Sequence, residues 1–213
     1  MTNQKYEITD IVHEEYSFLH RIRALRDIGE NVKAGDLGGF VECEANLSFE
    51  PGDDAWIFDD AIACGNSCVD KGSRLRGNAV ACGNAYISQG STLSDQARAE
   101  DDAYIRGADV CEHARASGSS IIADSPETGQ APVLSETCVV YGTVLGDVHI
   151  ERDVVVLGNE KIANETPDTL VINGQGRSVV RDPSRDELHP RQPEKADEKK
   201  KQSARRRNGE QFL

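Results

Sequence analysis

The feature that most restricts the fold is a six-residue period through the middle of the chain. Its members are Ile57, Ala63, Val69, Leu75, Ala81, Ile87, Leu93, Ala99, Ile105 and Cys111. An α-helix repeats about every 3.6 residues, so it cannot place this series on one face. Gly-Asn pairs such as Gly65-Asn66 often lie between members, and Gly and Asn suit tight corners. Each hexad therefore predicts one side of a coil.

A second period of eighteen residues sorts these positions into three columns. One column is small, Ala63, Ala81 and Ala99. The other two columns hold branched residues. One is Ile57, Leu75 and Leu93, and the other is Val69, Ile87 and Ile105. Members of a column are expected about 4.8 Å apart, the spacing of hydrogen-bonded strands. We predict an all-β fold, a left-handed parallel β-helix of hexapeptide repeats in triangular coils.

The pattern divides the chain into four parts. Residues 1–33 are expected to form an N-terminal strand and cap, and 34–162 the β-helix, with a loop excursion over 117–132 that contains Pro126, Gly129 and Pro132. After the loop, the inward series is predicted to resume with Val133, Val139 and Leu145, to slip by one residue, and to continue with Ile150, Val156 and Ile162. Residues 163–183 are predicted as cap strands, and 184–213 as a disordered charged tail.

Charge and composition restrict the partners. The formal net charge is −13, and residues 185–213 hold nine basic and six acidic residues, so the body is more acidic still. This disfavours nucleic acid and anionic membranes as partners of the body. The N-terminus is polar and no run approaches a membrane span, which favours a cytoplasmic protein. The six cysteines lack a CxxC pair, so we expect reduced thiols, no metal site and no bound cofactor.

Two segments carry a family resemblance. HRIRALRDIGENVKAGDLGGFVECEANLS (20–48), DDAWIFDDA (53–61) and the GNA hexads resemble the YdcK-type β-solenoid family, and VINGQGRSVVRDP (171–183) is similar to its closing segment. The resemblance covers most of residues 17–183. It implies a bacterial or phage chain of the kind usually labelled acyltransferase-like, a label that follows from the fold. It brings no catalytic motif to this chain.

His113 is the candidate catalytic residue. Acyltransferases of this fold use a histidine near a coil edge as general base, and His113 stands at a corner before the loop. His149 lies in the resumed coils. Acyl-CoA would be the cofactor under this interpretation. An exposed corner histidine is the alternative, and fold analogy by itself does not establish an activity.

One outward face is unusually apolar. Ile62 stacks on Val80 and Cys64 on Cys82, and the alanines between them point inward. Exposed apolar surface marks interaction sites. We therefore predict that this face packs against another subunit, and the alternative is that the N-terminal strand covers it. The two thiols should run parallel, a poor geometry for a disulfide.

Two further surfaces are candidates. Carboxylates gather at corners, namely Asp53-Asp54, Asp59-Asp60, Asp95 and Asp101-Asp102. They are interpreted as solvated turn residues rather than calcium ligands, although together they form an acidic wall. Tyr86 and Tyr104 stack as a ladder that could bind a sugar or a base, or simply stabilise the sheet.

These features favour a noncatalytic β-solenoid scaffold or binding protein that self-associates through the apolar face. The first alternative is a CoA-dependent acyltransferase. The second is an acidic phage decoy that inhibits a nucleic-acid-binding host protein. The basic cluster of the tail, Lys199 to Arg207, is interpreted as solubilising.

Overall fold

The computed structural model describes residues 2–182 and is a parallel β-solenoid of about seven turns. Its only helical element among those residues is a single 3-10 turn, Glu44–Asn46. The predicted β-solenoid is thus confirmed. The predicted tail over 184–213 lies outside the described residues.

Three sheets form the three sides of the coil, and each gains one short strand per turn. Sheet A contains β1 (Tyr6–Val12), β2 (His20–Ala24), β3 (Leu37–Val41), β5 (Ile62–Ala63), β8 (Val80–Ala81), β11 (Arg98–Ala99), β14 (Arg115–Ala116), β17 (Val139–Val140) and β20 (Val155–Val156). Sheet B contains β4 (Trp56–Ile57), β7 (Arg74–Leu75), β10 (Thr92–Leu93), β13 (Asp109–Val110), β16 (Val133–Leu134), β19 (Val148–Ile150), β22 (Thr169–Asn173) and β23 (Gly176–Val180). Sheet C contains β6 (Cys68–Val69), β9 (Tyr86–Ser88), β12 (Tyr104–Arg106), β15 (Ile121–Ala123), β18 (Thr143–Gly146) and β21 (Lys161–Asn164).

The interior is built from the predicted columns. Ala63 pairs with Ala81, and Ala81 with Ala99, in parallel register on sheet A. Leu75 and Ile87 hold the equivalent places on sheets B and C, and all five side chains are fully buried. Alanine on one side and branched residues on the other two fill a narrow triangle without aromatic rings.

The coil shortens by one residue after Ile105, which corrects the predicted register. Leu93 pairs with Val110, seventeen residues on, so Val110 points inward and Cys111 outward. The corner there contains a single left-handed residue, Gly107 (φ +60°), where the corner of the coil below contains Gln89 and Gly90. The small residue inside the turn is accordingly Ala108.

The same slip shifts the coils on either side of the loop. β15 lies within the predicted excursion, and Ile122 is buried six residues after the buried Ala116. The coil therefore continues through Ala123, and the excursion is confined to 124–132. Beyond it, Leu134, Val140 and Val144 are fully buried, whereas the predicted Val133, Val139 and Leu145 point outward and are half-buried. The inward positions of Ile150, Val156 and Ile162 are confirmed.

Each end of the solenoid carries an antiparallel cap. β1 and β2 pair antiparallel, β2 pairs antiparallel with β3, and β3 begins the first coil by pairing in parallel with β5. At the other end β23 folds back on β22. No helix in residues 2–182 is long and apolar enough to span a bilayer.

Candidate functional site

The outer face of sheet A carries apolar side chains in four of its coils. It consists of two columns that lie two residues apart on each strand. The first outer column is Ile62, Val80, Arg98, Arg115, Val139 and Val155, and the second outer column is Cys64, Cys82, Glu100, Ser117, Tyr141 and Leu157. Val155, Tyr141 and Leu157 are 54%, 42% and 55% exposed. By contrast, sheet B presents Arg74, Asp109 and His149 on its outer side.

The N-terminal loop borders this face without closing it. Tyr16, Phe18 and the buried Leu19 line a groove of about 150 Å³ together with the side chains of Ile62, Cys64, Val80, Cys82 and Arg98. Tyr16 and Phe18 remain 45% and 51% exposed. All four predicted interface residues therefore meet in one apolar groove, which the N-terminal segment enlarges.

A charged belt (Arg98, Glu100 and Arg115) crosses the middle of the face. Arg98 Nε donates to Glu100 Oε1 at 2.5 Å, and Arg115 donates to the other oxygen of Glu100. Burial alone would raise the pKa of Glu100, but the hydrogen bonds from Arg115 and Arg98 outweigh it and hold the pKa below its ordinary value. Glu100 is therefore a fixed anion between two cations.

Cys64 and Cys82 are free thiols. Burial raises the pKa of Cys64 to about 11, and burial also raises the pKa of Cys82. Both thiols stay protonated near neutral pH, and the thiolate is the reactive form. They act in the groove as small apolar side chains.

The two histidine candidates lie apart on different corners and strands. His113 is exposed on a corner, and within residues 2–182 its ring makes no hydrogen bond or ion pair that would orient it. His149 Nε2 lies 3.5 Å from Asp147 Oδ1 on the outer side of sheet B. Asp147 is largely buried and accepts a hydrogen bond from Thr169 Oγ1 at 2.8 Å. Asp147 thus contacts both His149 and the Thr169 hydroxyl, whereas no side-chain partner orients His113 within the described residues.

The corner carboxylates bind the backbone of the next coil. Asp59 Oδ2 accepts the Gly77 N–H at 2.9 Å, and Asp101 Oδ2 accepts the Gly118 N–H at 2.9 Å. Asp53 accepts the backbone N–H groups of Lys71 and Gly72 in the following corner. Asp102 differs, because its Oδ1 accepts from the side-chain Nδ2 of Asn84 in the preceding coil at 2.7 Å. Residues 2–182 contain no group of three or more acidic, His or Cys side chains placed to hold a metal ion. These carboxylates therefore connect coils.

The predicted tyrosine ladder exists on sheet C. The rings of Tyr86 and Tyr104 stack with centroids 5.7 Å apart and planes 24° apart. Tyr86 Oη donates to Asp70 Oδ2 at 2.5 Å, and this bond is the main cause that raises the pKa of Tyr86 to about 12. The ladder is half-buried and hydrogen-bonded along its edge.

Sequence reasoning missed the upper half of the outer face of sheet A. The predicted register after the loop turns Val139 inward, and the unknown lengths of the coils around the loop leave Tyr141, Val155 and Leu157 without an assignment to this sheet. The order Gly107-Ala108 signals the short corner before the loop, because it places the small residue of the repeat one position early. Beyond the loop, strand pairing joins Arg115 to Val139 and Val139 to Val155, and the face extends over six coils.

No protein-family model matches this chain, and no curated protein matches it. The YdcK-type resemblance consequently remains an inference from the quoted motifs.

Proposed function

We propose that this chain is a noncatalytic β-solenoid scaffold that binds other protein chains, including copies of itself, through the outer face of sheet A. The observation that carries the proposal is the outer face itself, where apolar side chains in four coils flank one charged belt. Contiguous exposed apolar surface of this kind is typical of interaction sites.

Rigidity supports a scaffold role. Each coil is bonded to the next through backbone pairs on three sheets, and corner carboxylates add further bonds. The binding face is thus built on strands, which hold side chains more firmly than loops do. The free state of all six thiols is typical of a reducing compartment, so we place the protein in the cytoplasm.

Val80→Asp tests this proposal because Val80 lines the groove. A carboxylate there would lose its water when a partner chain docks, at a cost of several kcal/mol. Sedimentation velocity over a concentration series should show wild-type species heavier than the 23.2 kDa monomer, and monomer for Val80→Asp.

Thr92→Asp is the matched control, because Thr92 holds the equivalent outer position on sheet B. Its sedimentation should equal that of the wild type. Circular dichroism melts confirm that both variants are folded. Equal masses for wild type and Val80→Asp would reject the binding face.

A further inference from the structure

Each coil has two outer positions on sheet A, and of these residues only Ser117 is buried. The pairs are Ile62 with Cys64, Val80 with Cys82, Arg98 with Glu100, Arg115 with Ser117, Val139 with Tyr141, and Val155 with Leu157. Four coils offer two apolar residues, and one offers opposite charges. A second copy of this surface would therefore match the first if the first outer column of one copy faced the second outer column of the other.

A two-fold axis parallel to the solenoid axis makes this exchange. It keeps the coils of two copies level and places the first outer column of each against the second outer column of the other. Apolar residues then meet apolar residues in four coils, and Arg98 meets Glu100 in the charged one. Arg115 lies opposite the position of Ser117, which is 6% exposed and donates to Asp101 Oδ2 of its own chain, so no like charges lie opposite each other.

The antiparallel alternative fails on charge. A two-fold axis perpendicular to the solenoid reverses the order of the coils but places each column against itself. Arg98 then faces Arg98, Arg115 or an apolar residue, and Glu100 faces Glu100, Ser117 or an apolar residue. No register of this arrangement pairs an arginine with a glutamate directly, and like charges opposite each other disfavour an interface.

The two arginines of the belt are well exposed, and Glu100 between them is 15% exposed. Arg98 and Arg115 are 44% and 47% exposed, and each guanidinium carries five N–H donors. Two carboxylate oxygens offer about four acceptor sites, so Glu100 can accept a third arginine while it keeps its own two. The parallel arrangement also brings Tyr16 and Phe18 of both copies to the same end of the assembly.

We infer that a second copy of this chain occupies the outer face of sheet A in parallel orientation, with Arg98 of each copy paired with Glu100 of the other. The inference rests on the proposed function and specifies its partner and geometry.

Charge exchange tests the pairing. Arg98→Glu should weaken the dimer about tenfold or more at low salt, because two glutamates then face each other twice. The double variant R98E/E100R should return the dissociation constant to within about threefold of wild type, since the exchanged pair is again self-complementary. Arg115→Glu is the matched control, because it breaks an ion pair to Glu100 within the chain but faces Ser117, and it should change the constant by less than about threefold.

Cysteine crosslinking tests the same geometry without electrostatics. Val80→Cys should form a disulfide with Cys82 of the second copy under mild oxidation, and peptide mapping should identify it. Val139→Cys is the control, because Tyr141 lies opposite and no thiol is in reach.

The outcomes separate the two proposals. Any of three results for a dimeric wild type would overturn the parallel geometry and leave the binding face standing: R98E binds more tightly, R98E/E100R remains weak, or Val80→Cys does not crosslink. A wild-type protein that is monomeric at every concentration overturns the second copy as occupant, and with it the self-association in the proposed function.

Discussion

Lys5 is a buried cation in the N-terminal cap, and its titration should be visible in the stability of the protein. The residue is 1% exposed, and Nζ donates to the Ser48 carbonyl oxygen at 2.7 Å. Burial lowers its pKa from 10.5 to about 8, and the Asp53 carboxylate opposes this only in part. The unfolded chain keeps the ordinary pKa, so the folded state binds this proton less firmly.

The sign of the effect follows from these two pKa values. Below pH 8 the ammonium is charged in both states, and its burial opposes folding in full. The difference between the two pKa values corresponds to roughly 3 kcal/mol of unfolding free energy. This penalty disappears as the pH rises towards 10.5, so this residue makes the protein more stable with rising pH. Relative to Lys5→Met, wild type should gain about 2 kcal/mol between roughly pH 7.5 and pH 9.5.

Urea unfolding followed by tryptophan fluorescence measures this gain. Trp56 is the single tryptophan, is 1% exposed, and has its ring centroid 6.3 Å from that of Tyr6 in the cap. Other titrating groups occur in both proteins and cancel in the difference, and loss of the bond to Ser48 adds only a constant. If the unfolding free energy of wild type minus that of Lys5→Met changes by less than about 0.5 kcal/mol over this pH range, or falls as the pH rises, the reasoning is refuted.

Three further predictions concern the coils. Ile87→Ala removes a fully buried side chain from the sheet C column and should lower the unfolding free energy, measured by urea titration, by about 2–5 kcal/mol. A loss below about 1 kcal/mol would contradict a close-packed interior. Gly83→Ala should cost more than Gly90→Ala in the same assay. Both have positive φ, but a Cβ at Gly83 would lie 2.8 Å from Asp101 backbone atoms and one at Gly90 would meet nothing within 4 Å, so equal losses would contradict the corner geometry. Asp101→Asn should make the unfolding free energy depend less on pH below about pH 4. Hydrogen bonds from Ser117 and Gly118 lower the pKa of the Asp101 carboxyl, so the stability that they contribute is lost as the pH falls through that pKa. An unchanged pH profile would show that these bonds contribute nothing.

Most of the interior could be predicted because a solenoid repeats its own contacts. Leu75 lies between Ile57 in the coil below and Leu93 in the coil above, each eighteen residues away in the chain. The period of the sequence therefore predicts which residues are neighbours in space. Prediction failed where one corner lost a residue at Gly107, because the inward positions from there to the 124–132 loop then shifted by one. The false start of the loop at Ser117 has this cause, whereas the error at Val133 and Val139 comes from the unknown length of the coil that contains the loop.

The candidate site was half predictable. Ile62, Cys64, Val80 and Cys82 precede the short coil, and their outward direction follows from the alanines between them. Val155 and Leu157 join the same face only after the lengths of two irregular coils are known. Those lengths depend on which backbone groups pair across the 124–132 loop, and periodicity carries no information on that pairing.

The sequence by itself therefore determined the architecture, the three inward columns and the lower half of the apolar face, because hexads encode which side chains point inward. Only the tertiary structure decided where the loop bearing Tyr16 and Phe18 lies, which backbone amides the corner carboxylates bind, and how the charged belt lines up with apolar coils on both sides. The physical reason is that these contacts join residues whose separation in the chain varies with each corner, so hydrogen bonding and packing between coils set them rather than any local pattern.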